Sequence, residues 1–166
     1  SEEKGIRTLL SAWKNRDLPP LRIVGEGPLR EDLERSAPPN VRFLGRLESR
    51  EIQDQMRSAR FLVFPSICYE NFPLVLAEAA AHGLPVLASD LGAAAEIVRE
   101  GKTGLHFKTS DPDSLERAAS VLQKDQFLYE YISKTAREAY KESYTPDRNF
   151  ELLRAIYEEA IASPRN

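Results

Sequence analysis

The sequence predicts an α/β fold: a Rossmann-like parallel sheet with helices on both faces. Three observations predict it. Short apolar runs rich in Val, Leu, Ile and Phe recur at 21–24, 41–44, 61–64, 86–88 and 105–107, with helically spaced segments between them. The stretch from Phe61 to Ser89, FLVFPSICYENFPLVLAEAAAHGLPVLAS, reads as a strand, a loop, an apolar helix (about Pro73 to His82) and a second strand. Such a βαβ unit is parallel and right-handed almost without exception. Finally, 166 residues with a hydrophobic fraction of 42% suit one domain, 1–166, built on one core.

Composition removes several classes of function. A net charge of −3 leaves no basic footprint for nucleic acid. No apolar run reaches the roughly 18 residues of a membrane span, and no signal peptide is evident. The single cysteine, Cys68, excludes an internal disulfide and a cysteine-based zinc site. His82 and His106 are far apart in sequence, so neither a metal nor another cofactor is expected. A cytoplasmic location is the expectation.

Taken in order, residues 5–15 carry Ile6, Leu9, Leu10 and Trp13 at helical spacing, with Lys4 just ahead of them. The strand from Leu21 to Val24 runs into Gly25, Glu26, Gly27 and Pro28. A dinucleotide fingerprint would need glycine at position 30, where Arg30 stands. The glycines therefore read as a tight turn, and Pro28 as the start of a helix bearing Leu29 and Leu33. Val41 to Leu44 is a strand ending in Gly45 and Arg46. Glu48 to Ser58 is a helix with Ile52, Met56 and Ala59 turned inward.

The helix after the next strand holds one carboxylate, Glu78, among Leu74, Val75, Leu76, Ala77, Ala79, Ala80 and Ala81. A helix apolar all round is a buried one, so Glu78 is expected inside the protein. There an unpaired charge would cost several kcal/mol, to order of magnitude. Glu70 lies in the loop leading in. Pro73 marks the helix start, because proline is favoured at the first position and excluded from the interior. Glu70 and Glu78 can then point into one crevice at the C-terminal edge of the sheet, where open α/β sheets bind ligands. The N–H groups of Phe72, Leu74 and Val75 face the same crevice as an anion site. Two hydroxyl acceptors beside a phosphate pole describe a site for a phosphorylated sugar or a nucleotide.

Beyond Ser89, the run from Gly92 to Glu96 leads into a helix. Gly101 to Gly104 is a turn, and Leu105 to Phe107 the last strand. His82 and His106 read as structural. Asp111, Pro112 and Asp113 spell a metal-like Asp-x-Asp, but they also suit a helix start: Ser110 or Asp111 as the cap, Pro112 in the first position, and Asp113 favoured by the dipole. The remainder is helical over 115–123, 127–140 and 148–162, and the last helix has an apolar face of Phe150, Leu153, Ile156 and Tyr157.

Glu70, seven intervening residues and Glu78, in the setting PS-x(3)-EN-F-P-x(4)-EA-x(3)-G-x-PV-x-AS, resemble the signature of retaining GT-B glycosyltransferases of family 4 (group 1). SEEKGIRTLLSAW is similar to that family's GRLxxEKG…LLxA segment, and LRIVGEGPLREDLE to its strand–GxGP–helix step. The resemblance runs from Ser1 to about Asp113, more loosely to the end, and implies the C-terminal, donor-binding half of a GT-B fold. It implies a UDP-, GDP- or ADP-sugar donor and no metal. Glu70 would accept from the sugar hydroxyls and steady the anomeric centre. Lys4 and the N–H groups around Phe72 and Leu74 would hold the diphosphate, with Asn71, Pro73 and Val75 also among the donor-binding residues. Glu78 would take the ribose hydroxyls, Gly25 and Gly27 would lie near the donor, and Phe43, Leu44 and Gly45 would hold the base through main-chain groups.

One departure is Ala93, where the family has the second glycine of Gly-Gly-x-x-Glu. The resemblance also implies an N-terminal half that residues 146–162 would cross to meet. The acceptor is unknown (glycan, lipid or small molecule), the fragment alone should be inactive, and the full protein would work at the inner face of a membrane. A sugar-nucleotide 2-epimerase and a non-catalytic binding module are the alternatives. The family's first strand ends in GRL and would precede Ser1. A mid-sheet gap with unpaired N–H and C=O groups is therefore expected, filled by another segment, a second molecule or upstream residues.

Overall fold

Five strands run parallel: β1 (Leu21–Val24), β2 (Val41–Gly45), β3 (Leu62–Phe64), β4 (Val86–Ser89) and β5 (Gly104–Phe107). They come from a computed structural model that describes residues 2–14 and 17–162. Around them lie α1 (Ile6–Ala12), α2 (Arg30–Ser36), α3 (Ser49–Ser58), α4 (Leu74–Ala81), α5 (Gly92–Ile97), α6 (Pro112–Lys124), α7 (Gln126–Ser143) and α8 (Pro146–Ala162). The predicted α/β class holds, with one difference. The strands form two sheets, β1-β2 and β3-β4-β5, instead of one. The unpaired edges of β1 and β3 border a slot of about 490 Å³ lined by Leu21, Ile23, Val24, Phe61, Leu62 and Val63, among others. This is the mid-sheet gap that the sequence led us to expect.

β4 shows how the core is divided. All four of its residues are buried, and alternate side chains leave opposite faces of a strand. Leu87 joins the cluster that holds Leu9, Trp13, Phe107, Leu115 and Leu122. Val86 and Ala88 join the one that holds Met56, Leu76, Ala79 and Val98. Helices α1 and α6 thus cover one face, and α3, α4 and α5 contribute to the other.

Local chemistry explains the starts of α3, α6 and α7. The amide of Glu48 donates to the carboxylate of Glu51 (2.8 Å), one arm of a capping box. The Oδ1 atoms of Asp111 and Asp125 accept from the amides of Ser114 and Leu128, each at 2.9 Å. Asp111 is thus a cap, with Pro112 opening α6 and Asp113 in its first turn.

Several boundaries differ from the prediction. Pro28 and Leu29 form a turn, so α2 starts at Arg30. Pro73 caps α4 instead of opening it, and Phe61 lies outside β3. The first helix, expected over 5–15, ends at Ala12, and the indole of Trp13 donates to the carbonyl of Pro19 (2.8 Å). Residues 1, 15, 16 and 163–166, the ends of several predicted segments among them, lie outside the described residues. No residue of α8 is buried: Phe150, Ile156 and Tyr157 are more than 60% exposed.

Candidate functional site

The site is assembled where the chain's first turn meets the loop after β3. A 3₁₀ turn, Glu2–Lys4, ends in Gly5 at φ +64°, a left-handed conformation that suits glycine. A Cβ at Gly5 would stand 1.8 Å from the carbonyl oxygen of Pro65, so only glycine permits this approach. The carbonyl of Glu3 accepts from the amide of Ile67 (2.8 Å), fastening the turn to the loop. Lys4 is thereby delivered to Glu70. Its Nζ lies 2.8 Å from Oε1, and the same oxygen accepts from the hydroxyl of Ser66, also at 2.8 Å. Partial burial opposes the charge on Glu70. The hydrogen bonds from Lys4 and Ser66, with the lysine charge, outweigh it and hold the carboxyl below its ordinary range.

Three connected depressions surround this cluster. The first, about 320 Å³, is lined by Lys4, Gly25, Gly27, Phe43 and Ser66 with Arg30, so it gathers four of the predicted donor residues. It shares Ile6, Ile23, Val24 and Pro65 with the slot between the sheets. Val75 and Glu78 line that slot, and Glu78 also lines a third depression of about 690 Å³ with Phe72, Leu74, Tyr140 and Tyr144. Glu70 itself, Leu44, Gly45, Asn71 and Pro73 line none of the three. Gly45 is buried, at φ +72°, and its carbonyl accepts from the amide of Gly25 (2.7 Å). Its backbone shapes the glycine turn.

One expectation needs correction. Glu78 is exposed, not buried. Helix α4 buries Leu76, Ala79 and Ala80, while Leu74 stays 70% exposed and Glu78 opens onto the slot. An alanine-rich helix carries too little contrast between its faces for sequence to reveal which one is covered. Glu70 is tied through Lys4 and Ser66 to the first depression, and Glu78 lines the slot that connects with it. The anion site is expected at the first-turn amides of α4. No side chain caps the helix, and the first backbone bond there is from the amide of Leu76 to the carbonyl of Pro73.

Sequence reasoning passed over Ser66 and Ser89. Both are buried polar side chains, and the hydroxyl of Ser89 donates to the carbonyl of Ser66 (2.7 Å). The available signal was weak: a serine at the end of β4 and another two residues past β3. Both histidines are structural in place. His82 is the C-cap of α4, and Nε2 of His106 is 2.6 Å from the carbonyl oxygen of Val98. Among the described residues, no group of three His, Cys, Asp or Glu side chains is placed to hold a metal ion.

Residues 1–125 match the family model described as glycosyl transferases group 1. The chain belongs to the group 1 glycosyltransferases. It is 31% identical over 148 residues to the D-rhamnosyltransferase WbpZ of Pseudomonas aeruginosa, covering 86% of this chain and 39% of WbpZ. To the sulfoquinovosyl transferase SQD2 of Arabidopsis thaliana it is 34% identical over 167 residues, covering 93% of this chain and 32% of SQD2. Its fold is that of Anabaena Alr3699/HepE, solved in complex with UDP and glucose. There the TM-score is 0.84 at 22% identity, over 95% of this chain and 46% of that one. This group 1 chain therefore spans less than half of each relative, and its fold is that of a C-terminal GT-B glycosyltransferase domain.

Proposed function

We propose that this chain is the donor-binding half of a retaining glycosyltransferase, which moves a hexose from a UDP-, GDP- or ADP-sugar to an acceptor without a metal. One observation carries the reading. A half-buried carboxylate, Glu70, is ion-paired to Lys4, which lines a depression with Gly25, Gly27 and Phe43. The uncapped N-terminus of α4 follows three residues after it in the chain. The UDP and glucose in the Anabaena relative and the sugar-transferring relatives support this reading.

In this reading Lys4 and the first-turn amides of α4 hold the diphosphate and stabilise its charge as it leaves. Lys4 is 53% exposed, so its pair with Glu70 contributes about 1 kcal/mol or less and is readily exchanged for a phosphate. Glu70 then faces the sugar hydroxyls and the developing charge at the anomeric carbon. Glu78, exposed on the slot, accepts from the ribose hydroxyls, while the main chain at Phe43, Leu44 and Gly45 meets the base. The N-terminal half of the enzyme closes the cleft, α8 crosses to it, and the acceptor enters from that side. The full protein acts in the cytoplasm at the inner face of a membrane; no described helix is long and apolar enough to cross one.

Calorimetric titration with UDP, GDP, ADP and their glucose conjugates tests the reading. Saturable binding of one nucleotide is expected, weakened by about 1–3 kcal/mol in Glu78→Ala. Absence of binding to any of the six, by this chain and by any longer form of it, would overturn the proposal.

A further inference from the structure

Ser66 is 2% exposed, and a buried hydroxyl needs a partner. Three groups compete for it: Oε1 of Glu70 at 2.8 Å, the carbonyl of Glu3 at 3.3 Å and the thiol of Cys68 at 3.4 Å. The hydroxyl has one proton to give. The shortest contact is also the charge-assisted one, so the proton goes to Glu70, and the oxygen's lone pairs remain open to the weak donor of Cys68. The backbone of Ser66 is held as well. Its carbonyl takes the hydroxyl of Ser89, at the end of β4, and the next amide donates to Glu3. Ser66 is thus fixed from two sides before it touches Glu70.

We infer that Ser66 is a positioning residue that anchors Oε1 of Glu70 and leaves Oε2 as the oxygen offered to the ligand. Among the described residues Oε2 makes no hydrogen bond, and 22% of the Glu70 side chain is exposed. Lys4 cannot fill this role alone. It sits on a half-exposed, rotatable stem, and a phosphate in the depression competes for it. When Lys4 turns to phosphate, Ser66 is the contact that keeps the carboxylate aimed. The identity of the ligand, a nucleotide sugar, rests on the function proposed above; the anchoring of Glu70 does not.

The test pairs two measurements on the wild type, Ser66→Ala and Ser66→Thr. Carbon-13 NMR follows the titration of the Glu70 carboxyl. Calorimetry compares UDP-glucose with UDP, or the matching pair for whichever base the chain takes. Ser66→Ala is expected to raise the Glu70 midpoint. It should weaken the sugar nucleotide about tenfold, the loss of one charged hydrogen bond, and leave the free nucleotide within about twofold. Threonine, which restores the hydroxyl, is expected to recover both. Ser66→Cys keeps the volume with a weaker donor and should show the same changes in smaller measure, which decides the matter even if alanine fails to fold. A folded Ser66→Ala with unaltered Glu70 titration and an unaltered affinity ratio overturns the proposal. A wild type that binds no sugar nucleotide sinks the donor reading alone, and the titration still decides the role of Ser66.

Discussion

Partial burial works against the charge on Glu70, and its hydrogen bonds from Lys4 and Ser66 work for it; the second effect wins. The sign of the pH dependence follows. A carboxyl whose folded-state pKa lies below its ordinary 4.5 contributes stability that is fully present above that value. This contribution is lost as the pH falls through the depressed folded-state value. Asp90 has the same sign, because both the hydroxyl and the amide of Thr109 donate to its Oδ1 at 2.7 Å. Glu70→Gln is therefore expected to flatten the loss of stability below pH 4.5 without abolishing it. Urea denaturation across the acid range measures this, and an unchanged slope would show that the contacts at Oε1 do not hold the charge. At this scale the two glutamates were legible in the sequence because their spacing and setting are unusual. Ser66 was not, since a serine just past a strand is ordinary until a carboxylate stands 2.8 Å from it.

Among the elements, β4 and α4 make the contrast. Buried on both faces and paired on both edges, β4 reads in sequence as an unbroken apolar run, because no side chain there reaches water. α4 also reads as an apolar run, interrupted only by Glu78, yet one side of it is open. The difference is what packs alongside, and local sequence does not contain that. β1 and β3 each have one edge on the slot, so their edge amides lack the second partner that β4 enjoys. Hydrogen exchange is expected to be slowest in β4 and distinctly faster in β1 and β3. Equal protection in all three strands would mean that the slot is closed in solution.

Across the molecule, stability and surface separate cleanly. Leu115 is fully buried in the larger cluster, and Ile156 on α8 is 62% exposed. Leu115→Ala is expected to cost about 2–5 kcal/mol, whereas Ile156→Glu should change stability by no more than about 0.5 kcal/mol. Equilibrium denaturation of the two variants checks both, and a large loss in the second would mean that α8 packs on the body of the protein. The α/β class, the strand–helix alternation and the family were determined by the sequence alone, because each is written in local periodicity and in short motifs whose residues are chain neighbours. The exposure of Glu78, the row of connected depressions and the convergence of Lys4, Ser66 and Glu70 were decided only by the tertiary structure. Each of these depends on which surfaces meet across long stretches of chain, and Lys4 and Glu70, 66 residues apart, become neighbours only when Gly5 lets the first turn close on Pro65.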